Sequence, residues 1–400
     1  METRAGDPGA FAHFDLTRVD SPAFVIDAAR LRHNLRILQD VGERSGAKVL
    51  SALKAFSMWS TAPIVGEYLD GVCTSGLWEA RLAGEFYDGE IATYCAAYKA
   101  EDLPEILRLS DHVIFNSPRQ IERFWPLIEA ARARGEDFDI GLRVNPLQPE
   151  GEVPKYDPSA PHSRLGFPID QLTDEHVAMI DGIHFHNLCE QDFLPLQRTW
   201  DKVFDYLEPY FGQFKWINLG GGHHITRADY QREELIEFLR DVAEDTEAEV
   251  YIEPGEAVAL DAGILVGTVL DLGFNGMPVA VVDISATCHM PDVIEAPYRP
   301  AMLNELPLDE EELLDEGQGG AVRLGGPSCL AGDVIGDYRF PVPIEPGLRF
   351  AFLDQAHYSM VKTTTFNGVP LPSIWLWDSE TDSLECVRRF DYEDFRNRLS

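Results

Sequence analysis

The sequence predicts an α/β protein, a closed (β/α)8 TIM-like barrel followed by a mainly β C-terminal domain of sandwich or barrel type. Eight apolar runs of strand length, at 47–53, 71–74, 91–95, 112–115, 138–144, 180–186, 215–219 and 249–253, alternate with amphipathic helical stretches such as 76–86, 118–134, 193–209 and 228–244. Eight strand–helix units are what a closed barrel requires, whereas an open doubly wound sheet more often has fewer. Beyond residue 256 the helical period fades, and 264–270, 279–284 and 348–353 read as strands separated by turns.

Four hundred residues with 45% hydrophobic content suffice for one large core and a second, smaller one. The expected division is an N-terminal segment, 1–22, associated with the β domain, a barrel over 23–256 and a β domain over 257–400. Ala23–Ile26 reads as a strand, and Asp27 as the N-cap of a helix that places Leu31, Leu35 and Leu38 on one face. The acidic run Asp309–Glu312, with Asp315 and Glu316 behind it, reads as a solvated loop or insertion. The chain carries no internal repeat beyond the barrel units and no low-complexity segment.

Lys plus Arg number 33 against 68 for Asp plus Glu, a formal charge of -35, which repels phosphate backbones and anionic membrane surfaces and steers cations inward. A uniformly acidic surface also keeps a protein soluble, above all in a salty cytoplasm, so the charge favours a cationic ligand without requiring one. No apolar run has membrane-spanning length, and Met1–Asp7 lacks the apolar core of a signal peptide, so a cytoplasmic location is expected. The six cysteines, at 73, 95, 189, 288, 329 and 386, form no CxxC pair and are expected as free thiols.

Catalytic groups of such barrels gather where the strands end, and Lys54, Asn116, Arg143, His186, Gly220 to Gly222 and Glu253 all fall there. Lys54 closes the apolar run Val49–Leu53, where burial penalises the ammonium form and frees an amine to attack a carbonyl. A lysine snorkelling from a strand end leaves the same pattern, and the residues further along decide between the two. Making an amino-acid carbanion requires an aldehyde held by an amine, a protonated ring nitrogen as electron sink, a phosphate anchor and a proton donor; pyridoxal phosphate supplies the sink. Lys54 would hold the aldehyde. Glu253 would keep a pyridine nitrogen protonated through a charge-assisted hydrogen bond, although a surface acid before the Pro254-Gly255 turn reads the same way.

Gly220, Gly221 and Gly222 follow the strand Trp216–Leu219, and their backbone N–H groups would close around a phosphate or simply form a loop. His184 and His186 alternate on a strand and face one side, and His223 and His224 follow the glycines. As a metal site these four histidines lack the usual carboxylate or cysteine complement, so no metal is expected and a ring-stacking role ranks higher for His186.

Seven ordered segments, Ala52–Trp59, Tyr156–Gly166, His184–Glu190, Gly220–Thr226, His289–Glu295, Gly325–Asp333 and His357–Gly368, resemble the alanine racemase-like, fold-type III family of pyridoxal-phosphate decarboxylases over nearly the whole chain. The resemblance implies that Lys54 holds the cofactor, His186 stacks on its ring, Glu253 meets its nitrogen, and Gly220 to Gly222 with Tyr358 bind its phosphate. It further implies a homodimer with shared active sites, in which Cys329 crosses to the partner subunit's site and protonates Cα once carbon dioxide has left. A free cysteine is ordinarily a small buried hydrophobe, but the Gly-Pro-x-Cys setting favours the catalytic role here.

Three departures bear on the substrate. Glu256 follows Pro254-Gly255 where many relatives have a phosphate-holding arginine, which shifts that task to backbone N–H groups and Tyr358. Glu295 stands near the position where diaminopimelate decarboxylases have an arginine for a distal carboxylate; an acid repels a carboxylate and attracts an amine. Leu330 replaces the acid that directly follows the family's catalytic cysteine. Asp292, Glu295 and Asp333 then become candidates for a distal ammonium, Asp333 being equally suited to capping a loop, while Arg164 and Glu256 complete the expected substrate-binding set. A cationic carboxy-polyamine such as carboxynorspermidine or carboxyspermidine fits, each joining an α-amino acid to a chain of secondary and primary amines. The rivals are decarboxylation of diaminopimelate, arginine or ornithine on the same fold, a regulatory homologue without catalysis, and a metal hydrolase built on the four histidines.

Overall fold

The structure, a computed structural model, describes residues 2–4, 6–151, 154–308 and 320–400; the acidic run that begins at Asp309 lies outside the described residues. The chain divides into two compact units, one of Arg32–Val258 and one of Met1–Leu31 with Ala259–Ser400.

The first unit is the expected barrel. Its strands are Lys48–Ala52, Gly71–Thr74, Glu90–Tyr94, His112–Phe115, Asp139–Asn145, Gly182–His184, Trp216–Asn218 and Glu249–Ile252. All pair in parallel with their neighbours in that order, and Tyr251–Ile252 pairs back onto Lys48–Val49, so the ring closes without an edge. The helices Leu77–Phe86, Pro118–Ala133, Phe193–Leu207 and Arg232–Thr246 match the sequence periodicity. A further helix, Leu103–Leu109, is shorter and buries Leu103, Ile106 and Leu107.

Inside the ring, Trp216 packs with Leu50, Ala92, Ile114 and Tyr251, and its indole stacks on His112 at 4.4 Å. Glycine is needed opposite it, because a Cβ at Gly141 or Gly182 would overlap the indole ring. At the strand starts, Lys48 pairs with Glu90 and, at 2.9 Å, with Glu249, and the Tyr251 hydroxyl lies within hydrogen-bond distance of the same two carboxylates. This polar cluster lies at the end of the barrel away from the residues with candidate chemistry.

The second unit is mainly β. Its sheet runs Val334–Tyr338, Val322–Gly325, Pro278–Val282, Gly263–Phe274, Ala23–Asp27, Ser373–Asp378, Ser383–Arg388, and Arg349–Phe352 also pairs with Gly263–Phe274. The strand Ala23–Asp27, which the sequence reading counted within the barrel region, therefore belongs to this sheet, antiparallel to Gly263–Val266 and parallel to Ser373–Trp377. All five of its residues are buried. A strand covered on both faces shows no alternation, so its sequence cannot distinguish a barrel stave from the middle of another sheet.

Asp27 does cap the helix Ala28–Ser45, accepting the Ala29 N–H at 3.0 Å, and Leu31, Leu35 and Leu38 are buried together. Phe11 and Phe14 of the N-terminal segment pack on Trp377, the latter at 4.8 Å. Among the described residues no helix is long and apolar enough to cross a membrane.

The room made for Trp216 is testable. Gly182→Ala should lower the unfolding free energy by about 1–3 kcal/mol through overpacking. Gly273→Ala, whose Cβ meets nothing within 4 Å, should change it by less than about 0.5 kcal/mol. Equal urea midpoints for the two variants would contradict this account of the barrel core.

Candidate active site

Lys54 lies two residues past the first barrel strand, where the backbone turns inward through Ala55 N–H and Phe56 N–H, both donated to the Ala52 carbonyl. The neighbouring strand ends hold this turn in place. Ala52 N–H donates to the Pro254 carbonyl and Leu53 N–H to that of Cys73, while Gly255 sits so close that a Cβ there would come within 2.8 Å of Ala55 Cβ. Lys54 keeps solvent-exposed surface although protein crowds round its ammonium. This desolvation is the main cause that lowers its pKa, and the Arg143 charge adds to it against the opposing influence of Cys73, Cys189 and Glu253.

Glu253 closes the eighth strand. Its Oε1 accepts from Asn218 Nδ2 at 2.7 Å and its Oε2 faces His184 Nε2 at 3.1 Å. Burial acts to raise its pKa, but His184, Asn218 and Arg143 outweigh burial and hold it below the ordinary glutamate value. For the pair we take Glu253 as ionised and His184 as neutral, its Nε2–H donating. Burial lowers the His184 pKa, and its buried Nδ1 has no partner among the described residues, as befits an unprotonated nitrogen in an apolar setting.

His186 Nδ1 accepts the Gly221 N–H at 3.0 Å, which leaves its proton on Nε2. Burial, reinforced by the Lys54 and Arg143 charges, pushes its pKa well below the usual histidine value, so the ring is neutral. Arg143 Nη2 donates to the His186 carbonyl at 2.7 Å, and its guanidinium lies 4.5 Å from the centre of the Tyr94 ring. The Tyr94 hydroxyl donates to Asn116 Oδ1, which also accepts Gly166 N–H, while Asn116 Nδ2 donates to the Arg164 carbonyl at 2.9 Å. Asn116 thereby fixes the backbone of Arg164 over the rim while the Arg164 side chain stays exposed.

The glycine triplet is dictated by crowding. Gly220 and Gly222 have φ of +70° and +91°, and a Cβ at 220, 221 or 222 would overlap the Phe185, Glu253 or Leu188 carbonyl respectively. Gly220 N–H donates to Asn218 Oδ1 and Gly221 N–H to His186; Gly222 N–H meets no protein acceptor among the described residues. Of the three N–H groups expected to face a phosphate, two thus orient Asn218 and His186, which leaves that of Gly222 alone without a protein acceptor among the described residues.

The remaining histidines have separate partners. His223 Nδ1 pairs with the Tyr230 hydroxyl at 2.6 Å, burial lowering its pKa to about 3, and His224 Nε2 lies 3.3 Å from Glu256. Among the described residues no cluster of metal-ligating atoms includes His184, His186, His223 or His224.

Two rim residues escaped the sequence reading. Cys73, beside Lys54 and Glu253, is a neutral thiol whose pKa burial and the Glu253 charge raise. Tyr94 carries the Arg143 contact. Both stand near strand ends, Cys73 opposite Ala52 and Tyr94 opposite Ile114, each of those two residues short of a collected one, Lys54 and Asn116, and that position was the available signal.

The β unit carries the other candidates. Cys329 is exposed, its N–H donating to Asn367 Oδ1 at 2.6 Å. Asp333 is buried, both carboxylate oxygens accepting hydrogen bonds from protein donors. Asp292 pairs with Lys362 at 2.6 Å, and that ammonium lies 5.3 Å from the Tyr358 ring centre. Glu295, in the same short helical turn as Asp292, is exposed.

No protein-family model matches the chain. It is 39% identical over 385 residues to the carboxynorspermidine/carboxyspermidine decarboxylase of Campylobacter jejuni, covering 95% of this chain and 99% of the relative. It is 37% identical over 387 residues to the carboxyaminopropylagmatine decarboxylase of Synechocystis, covering 96% of each. The crystal structure of carboxynorspermidine decarboxylase from Campylobacter jejuni, complexed with norspermidine, superposes with a TM-score of 0.85 at 38% identity, covering 95% of this chain and all of that one. With these likenesses spanning both units and the barrel mouth built as described, the chain belongs to the carboxynorspermidine/carboxyspermidine decarboxylase family.

Proposed function

We propose that this protein is a pyridoxal-phosphate-dependent decarboxylase of carboxylated polyamines, a cytoplasmic homodimer that converts carboxynorspermidine or carboxyspermidine to norspermidine or spermidine and carbon dioxide. The observation that carries the reading is a lysine with a depressed pKa and an ionised buried glutamate sharing one barrel mouth.

The residues present fit the coenzyme. When bound, pyridoxal phosphate supplies the conjugated ring that takes up the electrons of the broken Cα–carboxylate bond. Lys54 would hold its aldehyde, as a lysine whose uncharged form is favoured by burial. Glu253 would meet its ring nitrogen; two donors already hold this carboxylate, and an ionised carboxylate retains lone pairs for a third. The neutral, flat ring of His186 would stack on the coenzyme without adding a charge. Gly222 N–H and the Tyr358 hydroxyl would bind phosphate, with Gly220 and Gly221 setting the loop's course.

Around the substrate, Arg164 at the rim would attract a carboxylate, and the exposed Glu295 would meet a distal ammonium. Asp292 already faces Lys362, which makes it a weaker partner for a substrate amine. Glu256 lies beside His224 and would add negative charge near the glycine loop. Cys329 would give its thiol proton to Cα from the partner's side. Leu330 and Phe366, 45% and 48% exposed near this cysteine, offer the apolar surface a second copy would cover.

A second reading has one observation in its favour. The Synechocystis relative is named for a carboxylated agmatine derivative, and an exposed carboxylate such as Glu295 receives a guanidinium as readily as an ammonium.

Purified protein supplied with coenzyme and offered carboxynorspermidine, carboxyspermidine, carboxyaminopropylagmatine, diaminopimelate, arginine and ornithine should release carbon dioxide from a carboxylated polyamine and leave the last three intact. Lys54→Ala should release none. Turnover retained by Lys54→Ala, or release from the amino acids alone, would defeat the proposal, while preference for the agmatine derivative would select the second reading.

The shared site is tested by mixing. Lys54→Ala and Cys329→Ala proteins, each inactive alone, should regain up to about a quarter of wild-type activity after subunit exchange, since random pairing leaves one intact site in half of the dimers. Absence of any recovery in a mixture shown to contain hybrids would contradict it.

A further inference from the structure

Cys329 sits in a loop that burial cannot hold, since residues 329–332 are all exposed. What orders it is a closed polar brace of three segments within the β unit. The first arm is Asp333, whose Oδ2 accepts from Ser285 Oγ at 2.8 Å, Ser328 N–H at 3.3 Å and Ser328 Oγ at 2.5 Å, and whose Oδ1 accepts Thr287 N–H at 3.2 Å. Its own backbone closes the loop on itself, Asp333 N–H donating to the Leu330 carbonyl and Gly326 N–H to the Asp333 carbonyl. Gly326 is glycine because a Cβ there would lie 2.6 Å from Asp333 Cγ.

The second arm ties residues 285–289 to residues 364–370. Thr364 N–H donates to the Cys288 carbonyl at 2.8 Å and Cys288 Sγ to the Phe366 carbonyl at 3.5 Å. His289 accepts Ser285 N–H on Nδ1 and donates from Nε2 to the Pro370 carbonyl at 2.9 Å. Burial lowers its pKa to about 4, so the neutral tautomer these two bonds require is the one present. The third arm is Asn367, held at φ +61°, whose Oδ1 receives the Cys329 N–H and completes the triangle.

We propose that Asp333 and Asn367 are positioning residues that fix the Cys329 thiol for proton delivery to Cα, Asp333 by gathering both flanks of the loop and Asn367 by gripping the cysteine's own N–H. This rests on the proton-donor role proposed for Cys329. It also accounts for Asp333 without any contact to substrate, because its acceptor sites are filled by four protein donors.

Two variants remove one arm each with little steric change. Asn367→Gly keeps a residue at ease with positive φ and deletes the acceptor, and Asp333→Asn keeps the shape while turning one acceptor into a donor. In the holoenzyme of each, amide hydrogen exchange over residues 326–333 should accelerate about tenfold while the Trp216–Asn218 strand stays unchanged. With carboxynorspermidine, kcat should fall about tenfold while KM moves less than about twofold, because the thiol acts after binding. A larger share of turnovers should then take a proton on the coenzyme carbon, leaving the coenzyme as its amine and releasing an aldehyde after hydrolysis.

Unchanged exchange in both variants would overturn the brace. Faster exchange with unaltered kcat and product share would overturn its catalytic meaning. Cys329→Ala with wild-type kcat would sink the underlying proton-donor role, a failure visible in that variant alone and separable from either of the others.

Discussion

A carboxylate can stay ionised inside a barrel mouth only if its surroundings return what water would have given, and Glu253 is kept so by Asn218, His184 and the Arg143 charge. Much of the mouth follows from that requirement. Asn218 turns its amide nitrogen to Glu253 because Gly220 N–H takes its oxygen. Arg143 is held against Tyr94 and the His186 carbonyl, which fixes the residue whose ring nitrogen receives Gly221. The glycines serve this convergence, since any side chain on them would strike the neighbouring strand ends and push the groups apart. Lys54 then feels the Glu253 anion and the Arg143 cation while protein crowds out water, and the net result lowers its pKa below the ordinary lysine value.

The β unit meets a different difficulty by similar means. The Cys329 thiol is exposed, and an exposed loop has little apolar burial to order it. Buried Asp333 and His289 supply that order from below through directional bonds, leaving the surface of the loop free. Lys362 performs a related service for Asp292, neutralising one acid of a strongly acidic chain.

Much of the barrel was legible because its eight staves are short apolar runs, most of them followed by an amphipathic helix, and the rim residues follow from strand ends alone. Lys54, His186, Glu253 and the glycines were found in this way. The strand Ala23–Asp27 was not assignable, since five consecutive buried residues carry no period that says which sheet owns them. Strands such as Ser383–Arg388, with a mostly polar and partly exposed sequence, left too little hydrophobic contrast to be seen at all. The hydrogen bond of Gly221 to His186 and the proposed bracing role of Asp333 depend on partners far away in the chain, which local spacing does not encode.

The central claim is that the negative charge of Glu253, rather than its shape, serves the chemistry at Lys54. Steady-state kinetics of Glu253→Gln, an isosteric replacement that keeps one acceptor and removes the charge, test it most directly, alongside detection by mass of the coenzyme on Lys54. We expect the coenzyme to remain attached and kcat to fall on the order of a hundredfold. A kcat within about twofold of wild type, with the coenzyme attached, would contradict the account.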